Sequence, residues 1–308
     1  MRQYTALSAS FTGPVPGSGS GLPTLPLVLL HGFTQTGASW APIVAELQGR
    51  SPIVLPDAPG HGGSSQVRAD LWGTADLLVG TVGRRALWVG YSMGGRTALH
   101  VALAHPDQVE GLVLISTTAG IDAPDERDAR RAADDELAAR IQRDGTAAFL
   151  DFWLAQPLFR ALPPGSAGRK ERLANTPDGL ASSLRLAGTG SQGPLWARLG
   201  ELRERSLPVL LIAGELDTKY RDQAARMASA IGPCARVLIV KGAGHACHLE
   251  QPKIVSAAIS AMAGEIGAAS SRRSPGSHGR TKPDGGTKSD GRAAGSDGKA
   301  NSEQQPEG

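Results

Sequence analysis

Short apolar runs, each bounded by turn-forming residues, recur along the chain, and several are separated by stretches with helical periodicity. These runs occupy residues 27–30, 53–55, 87–89, 112–115, 209–213 and 237–240. A run that is apolar throughout is typical of a strand buried on both faces, and strands that alternate with helices are typical of a parallel sheet. The pattern therefore predicts an α/β fold, with a mostly parallel sheet covered by helices on both faces.

The alternation of strands and helices stops between Thr118 and Leu207, where helical patterns continue without a clear strand. This stretch predicts an inserted helical cap over residues 119–206, so that residues 25–118 and 207–267 form the core. The cap opens with Asp122, which can cap a helix, and Pro124, which suits a first helical turn. The predicted helices are core helices at 38–47, 69–82, 94–105, 220–230 and 252–263, and cap helices at 144–156 and 177–187.

Both ends of the chain differ in composition from the core. Residues 1–24 form an N-terminal segment that can add an edge strand, and they contain no apolar h-region. Residues 268–308 are dominated by Ser, Gly, Lys, Asp, Arg and Pro, so a disordered tail is expected there. No early apolar run is long enough to span a bilayer, which predicts a cytoplasmic protein without membrane insertion.

Composition also narrows the classes of ligand. The net charge is only +3, and no basic stripe with interleaved aromatic residues is present, so a nucleic-acid partner is not expected. The two cysteines, Cys234 and Cys247, lack Cys-x-x-Cys spacing and suggest neither a disulfide framework nor a metal site.

A serine lies at a sharp junction between a predicted strand and a predicted helix. The sequence Gly-Tyr-Ser-Met-Gly-Gly-Arg covers residues 90–96, follows the apolar run at 87–89 and leads into a helical stretch. This arrangement is typical of a nucleophile elbow, which exposes the serine hydroxyl at the edge of a sheet. Ser92 is therefore the candidate reactive group.

A serine hydroxyl needs an imidazole to activate it, and that imidazole needs a carboxylate to fix its tautomer. Asp217 follows the strand at 209–213, and His245 follows the strand at 237–240. The carboxyl ends of parallel strands meet at one edge of a sheet, so Ser92, Asp217 and His245 are predicted to converge as a catalytic triad. The chain order Ser, Asp, His is that of the α/β-hydrolase fold.

Two further features surround the predicted triad. The backbone N–H groups of Phe33, in a His-Gly-Phe sequence after the first apolar run, and of Met93, at the start of the elbow helix, are the expected oxyanion donors. Arg96 lies in the first turn of that helix, where the helix dipole opposes a cation. An anionic ligand would compensate for this repulsion, although a salt bridge or simple exposure explains the position equally well.

These residues together resemble the 2-succinyl-6-hydroxy-2,4-cyclohexadiene-1-carboxylate synthases, the MenH family of α/β-hydrolase-fold lyases. The resemblance covers about residues 25–265. It is carried by Leu-His-Gly-Phe-Thr-Gln at 30–35, the elbow at 90–96, the cap stretches 125–131, 151–159 and 188–192, Gly-Glu-Leu-Asp-Thr-Lys-Tyr at 214–220 and the sequence around His245 at 244–252.

This resemblance implies a carbon–oxygen lyase of menaquinone or phylloquinone biosynthesis that eliminates pyruvate from a tricarboxylate, with no metal or organic cofactor. Ser92, activated by His245, would remove the ring proton next to the succinyl ketone, while the N–H groups of Phe33 and Met93 hold the enolate oxygen. The family's substrate contacts correspond to Tyr91, Arg96, Arg127, Trp153 and Arg172.

Two other functions fit the same elbow. A serine esterase, thioesterase or carbon–carbon bond hydrolase would use the same triad under a different cap. A ligand-binding receptor that retains the hydrolase fold would bind ligand without turnover. Replacement of Arg96 by Ala distinguishes the lyase from the first alternative, because a hydrolase of neutral esters does not need this cation.

Overall fold

The computed structural model describes residues 6–13, 25–47, 49 and 51–273. Its strands are β1 (Ala9–Thr12), β2 (Leu27–Leu30), β3 (Ile53–Pro56), β4 (Ala86–Tyr91), β5 (Val109–Ile115), β6 (Val209–Gly214) and β7 (Ala235–Val240). Among the described residues they form one seven-stranded sheet in the order β1-β3-β2-β4-β5-β6-β7. β1 runs antiparallel to β3 at one edge, and the other neighbouring pairs are parallel.

The helices cover both faces of this sheet. They are α1 (Ala41–Leu47), α2 (Leu71–Val82), α3 (Met93–Ala104), α4 (Pro124–Leu154), α5 (Arg169–Arg172), α6 (Pro177–Ala187), α7 (Gly200–Glu204), α8 (Thr218–Ile231), α9 (Cys247–Glu250) and α10 (Pro252–Arg273). Leu78, Leu99 and Met227 bring α2, α3 and α8 onto one face. Ile43 and Val255 bring α1 and α10 onto the other. The predicted α/β fold is confirmed.

The stretch between β5 and β6 is helical and has its own small apolar cluster. Ile141 and Phe149 of α4 pack against Leu180 and Leu184 of α6, and Ile141, Phe149 and Leu180 are fully buried. α4 differs from the predicted pattern because it is one long element interrupted at Gly145, whose φ of 78° is non-helical. A glycine tolerates this conformation without a Cβ clash. We call residues 119–206 the cap.

The expected capping role of Asp122 is wrong. Ala123 occupies the N-cap position of α4 and provides no side-chain cap. The Asp122 carboxylate instead pairs with Arg226 of α8. Pro124 occupies the first turn of α4. A backbone N–H at this position would have no partner within the helix, so a proline, which lacks it, fits there.

α10 is longer than the predicted 252–263 helix, because residues 264–273 continue it, so residues 268–273 of the predicted disordered tail are helical. The rest of the predicted disordered tail, 274–308, lies outside the described residues. In the described part of the chain, α10 is the one helix long and apolar enough to cross a membrane by length and composition. Its Val255, Ile259, Met262 and Ile266 are buried against the sheet, as in the core helix of a globular domain.

The strand order fixes where a site can form. β2 lies between β3 and β4. The chain passes from β2 to β3 on one side and then returns to form β4 on the other side, so the strand order reverses at β2. A crevice opens at the carboxyl ends of strands where the strand order reverses. Phe33 follows β2, Ser92 follows β4, Asp217 follows β6 and His245 follows β7.

Candidate active site

Ser92 occupies the turn between β4 and α3 with a φ of 52° and a ψ of −109°. This conformation is rare for a residue with a side chain, and it lifts the hydroxyl out of the turn. The turn is tight because Gly94 packs directly on the end of β2. A Cβ on Gly94 would lie 2.1 Å from the carbonyl oxygen of Leu30. A Cβ on Gly90 would lie 2.3 Å from the carbonyl oxygen of Gly94.

The structure brings the three predicted triad residues together. The distance from Ser92 Oγ to His245 Nε2 is 3.3 Å, and that from His245 Nδ1 to Asp217 Oδ2 is 2.7 Å. This pattern fits a neutral imidazole that donates from Nδ1 to the carboxylate and accepts the serine proton at Nε2. The other oxygen of Asp217 accepts the backbone N–H of Tyr220 at 3.4 Å, which ties the carboxylate to the start of α8.

The direction of the Phe33 N–H is fixed by hydrogen bonds to the carbonyl of its own peptide group, which joins Gly32 and Phe33. The Gly32 carbonyl of that peptide accepts two hydrogen bonds, from His31 Nδ1 at 2.9 Å and from the backbone N–H of Gln35 at 3.1 Å. Because the N–H of a trans peptide points away from its carbonyl, the Phe33 N–H is directed away from these donors. Phe33 and Met93 line the same cavity as Ser92.

Two buried histidines join the loops that follow β2 and β3, because each accepts a backbone N–H from the other loop. His31 Nε2 accepts the backbone N–H of Ala58 at 3.0 Å, and His61 Nε2 accepts that of Thr34 at 3.3 Å. Burial lowers the pKa of His31, and it lowers the pKa of His61 to about 3. Both imidazoles therefore stay neutral near pH 7 and can accept these hydrogen bonds.

A cavity of about 180 Å³ opens above the triad, between the sheet edge and the cap. Cap residues Trp153 and Phe159 line it together with Phe33, and these rings form an apolar wall. Four cationic side chains also line it. They are Arg96, Arg130, Arg172 and Lys219.

Arg96 and Arg172 are buried cations that meet only neutral acceptors in the described part of the chain. Arg96 is 7% exposed and donates to the Ala187 carbonyl at 2.7 Å and to Gln192 Oε1 at 3.3 Å. Arg172 is 1% exposed and donates to the carbonyls of Ala167 and Phe33 and to the Thr34 hydroxyl. Burial lowers the pKa of each guanidinium to about 10, so both remain charged at neutral pH.

Arg130 behaves differently, since its Nε donates to the buried carboxylate of Asp134 at 2.8 Å. Arg127, which the family resemblance points to, does not line the cavity. Its guanidinium donates to the carbonyls of Ile121 and Asp122 just before α4. The cation that α4 presents to the cavity is Arg130, three residues further along the helix.

Two tyrosines flank the imidazole. The rings of Tyr91 and Tyr220 have their centroids 5.3 Å and 4.6 Å from that of His245. Burial raises the pKa of both phenols, so neither ionises near pH 7. Tyr91, Arg96, Trp153 and Arg172 were predicted as substrate contacts, and all four line the cavity.

Lys219 and Tyr220 also line the cavity, although neither was predicted as a site residue. A signal was present in the sequence, because these two residues lie two and three positions after Asp217, at the start of α8. The described residues contain no group of three or more His, Cys, Asp or Glu side chains that could hold a metal ion. Cys234 and Cys247 are both free thiols.

Residues 27–258 match the family model described as "Alpha/beta hydrolase family". The chain is 36% identical over 253 residues to the "Putative 2-succinyl-6-hydroxy-2,4-cyclohexadiene-1-carboxylate synthase" of Bacillus subtilis, covering 76% of this chain and 88% of the relative. It is 33% identical to the 2-succinyl-6-hydroxy-2,4-cyclohexadiene-1-carboxylate synthase of Citrobacter koseri, covering 80% and 94% of the two chains. The solved structure of MenH from S. aureus superposes with a TM-score of 0.75 at 28% identity and covers 84% and 98% of the two chains.

Proposed function

The chain belongs to the alpha/beta hydrolase family and, within it, to the 2-succinyl-6-hydroxy-2,4-cyclohexadiene-1-carboxylate synthases, and we propose that it eliminates pyruvate from 2-succinyl-5-enolpyruvyl-6-hydroxy-3-cyclohexene-1-carboxylate. The product is 2-succinyl-6-hydroxy-2,4-cyclohexadiene-1-carboxylate, an intermediate of menaquinone and phylloquinone biosynthesis. The enzyme is a carbon–oxygen lyase that acts on a small tricarboxylate.

One observation carries this proposal. Arg96 and Arg172 are buried guanidinium groups that lack a carboxylate partner among the described residues, and they line the cavity that contains Ser92 and His245. A buried charge is costly unless it is paired, so a cavity with two such cations favours an anionic ligand. Arg130 and Lys219 add positive charge at the same cavity. A substrate with three carboxylates suits this arrangement.

The triad serves as the base. The His245 imidazole draws the proton from Ser92 Oγ, and the oxygen removes the ring proton next to the succinyl ketone. The electron pair left on that carbon moves onto the ketone oxygen, where the N–H groups of Phe33 and Met93 stabilise the enolate. When the ketone re-forms, the electrons move through the ring double bond and break the bond to the enolpyruvyl oxygen. Enolpyruvate leaves, takes up the proton held by His245 and tautomerises to pyruvate, while Ser92 keeps the ring proton as its hydroxyl.

The cationic side chains hold the substrate during these steps. A guanidinium forms strong, directional hydrogen bonds to a carboxylate, so Arg96 and Arg172 fix the ring relative to Ser92. Tyr91 and Trp153 contribute the polar and apolar walls of the site. Orientation of this kind supplies much of the rate enhancement when the chemical step is a proton transfer. The reaction needs no metal or organic cofactor.

The substrate is a small, highly charged metabolite that does not cross an apolar bilayer unaided. We therefore place the enzyme in the cytoplasm, as a protein that works without membrane insertion or a nucleic-acid partner.

The test is to incubate the purified chain with the enolpyruvyl substrate and follow pyruvate release, with neutral p-nitrophenyl esters as the comparison. Pyruvate release that Ser92→Ala abolishes and Arg96→Ala reduces strongly is the expected result. Rapid ester cleavage without pyruvate release would identify a hydrolase instead. Ligand binding without turnover of either compound would identify a receptor.

A further inference from the structure

The cap contacts the loop that follows β2 through Arg172 and Asn175, which lie just before α6. Asn175, which is 4% exposed, donates from Nδ2 to the carbonyl of Thr34 at 2.7 Å and to that of Arg172 at 2.9 Å. Its Oδ1 accepts the backbone N–H of Gly62 at 2.8 Å. One cap side chain thus joins two separate loops of the core.

Thr34, whose carbonyl accepts one of these hydrogen bonds, has an unusual backbone conformation. Thr34 has a φ of 66°, in the left-handed region that a residue with a branched side chain rarely adopts. Such a conformation costs about 1–2 kcal/mol, so the loop would relax unless other contacts hold it. The contacts that hold Thr34 are the Asn175 amide at its carbonyl, the His61 imidazole at its N–H and the Arg172 guanidinium at its hydroxyl.

The strained residue directly follows Phe33. Phe33 and Thr34 share one rigid peptide, so a change in the φ or ψ of Thr34 shifts the Cα of Phe33 and, with it, the neighbouring Gly32–Phe33 peptide that carries the Phe33 N–H. His61 belongs to the core, whereas Asn175 and Arg172 belong to the cap. Arg172 lines the cavity, but Asn175 does not.

We propose that Asn175 is a positioning residue of the reaction, which holds Thr34 in its left-handed conformation and so aims the Phe33 N–H at the enolate oxygen. It acts through the loop and does not touch the substrate. This inference rests on the proposed function, in which that N–H stabilises the enolate. The cap then completes the oxyanion site as well as closing the cavity.

Two variants at this position separate its contacts. Asn175→Ala removes all three hydrogen bonds. Asn175→Asp keeps an acceptor for the Gly62 N–H but places an oxygen where the donor to Thr34 was. We expect both variants to lower kcat by about 10- to 100-fold, since losing one oxyanion donor costs up to about a thousandfold. KM should change by less than about threefold, because Arg96 still binds the carboxylates.

Gln142→Ala is the matched control. Gln142 also forms side-chain hydrogen bonds in the cap, to Asp178 at 3.0 Å and from Arg185 at 3.0 Å, but its side chain forms none to a core loop among the described residues. Its kcat should equal that of the unmodified chain. An equal loss of kcat in this control, a normal kcat in Asn175→Asp, or an effect confined to KM would each overturn the proposal.

A second reaction keeps this test independent of the substrate assignment. Diethyl p-nitrophenyl phosphate phosphorylates an activated serine: Ser92 Oγ bonds to phosphorus, p-nitrophenolate leaves, and His245 takes the proton. The phosphoryl oxygen occupies the oxyanion site, but no carboxylate is recognised. We expect the Asn175 variants to react about tenfold more slowly than the control.

The unmodified chain could release no pyruvate and yet react with the phosphate ester faster than the Asn175 variants do. That result would refute the proposed function and support the role of Asn175. Normal phosphorylation of the variants would refute that role. If the unmodified chain neither releases pyruvate nor reacts with the phosphate ester, the oxyanion site itself is refuted, and the inference with it.

Discussion

At the scale of single residues, the selectivity proposed above depends on cations that have no carboxylate partner among the described residues. We expect Arg96→Ala to lower kcat/KM for the tricarboxylate by about 100-fold, since a charge-assisted hydrogen bond is worth about 2–3 kcal/mol. The ligand-free protein should lose little stability, because the change also removes a buried charge. Steady-state kinetics and thermal unfolding measure the two effects separately.

Arg127→Ala provides the control for this experiment. Its guanidinium donates to two backbone carbonyls at the start of α4 and lies outside the cavity. We expect kcat/KM to change by less than about threefold in this variant, within the range of a surface contact. A loss as large as that of Arg96→Ala would place Arg127 at the substrate and contradict the geometry.

At the scale of elements, the site depends on how closely α3 approaches the end of β2. A methyl group on Gly94 would lie 2.1 Å from the Leu30 carbonyl oxygen and 2.8 Å from that of His31. Backbone cannot yield cheaply, so Gly94→Ala should lower the free energy of unfolding by about 1–3 kcal/mol. It should also lower kcat by more than 10-fold, because Ser92 and Phe33 are forced apart.

The matched control is Gly264→Ala in α10, where an added Cβ has no neighbour within 4 Å. An alanine in a helix interior is favoured over glycine by about 0.5–1 kcal/mol, so this variant should be slightly more stable and fully active. Denaturant unfolding and pyruvate release measure both variants. Full activity in Gly94→Ala would show that the elbow does not need its close packing.

The strands and the triad were predictable from the sequence for a physical reason. Strands buried on both faces appear as uninterrupted apolar runs, and Ser92 and Asp217 each follow such a strand. His245 follows the edge strand β7, which is also an apolar run although its Val237 and Ile239 are exposed. The cap was less predictable. Whether Arg127 or Arg130 faces the cavity depends on how the part of α4 before Gly145 is rotated over the core. The packing of Ala138 and Ile141 against α6, far along the chain, sets that rotation.

The network around Thr34 could not be predicted either. Asn175 is separated from Thr34 by 141 positions, and nothing in the sequence near either residue indicates their contact. Local patterns report local structure, whereas a contact between an inserted cap and a core loop depends on the folded arrangement of both. The same holds for the left-handed conformation of Thr34, because a threonine does not favour it.

At the scale of the whole molecule, buried histidines link stability to pH. Burial lowers the pKa of His61 and His248 to about 3 and that of His100 to about 4. In the unfolded chain each imidazole has a pKa near 6.5, so below that pH the unfolded state binds more protons than the folded state. Stability is therefore complete above about pH 6.5 and falls as the pH drops. At pH 5 the loss should be about 2 kcal/mol for each of these histidines.

His248 allows this link to be tested, because neither of its ring nitrogens has a hydrogen-bond partner among the described residues. The ring packs against Trp40 and Tyr91 at centroid distances of 4.9 Å and 4.1 Å, a place that a phenyl ring can fill. His248→Phe should keep or raise stability at pH 7, since a buried polar group without a partner is replaced by an apolar one.

The variant should also respond less steeply to acid, because each proton taken up on unfolding contributes about 1.4 kcal/mol per pH unit to the slope of stability against pH. Urea unfolding at pH 7, 6 and 5 measures that slope, with His105→Gln as the control that removes a surface imidazole paired with Asp76. If His248→Phe retained the full acid slope, the His248 ring would take up a proton in the folded protein as readily as in the unfolded chain. Tyr91 contacts both this ring and that of His245, at centroid distances of 4.1 Å and 5.3 Å, so such a charge would lie close to the His245 imidazole.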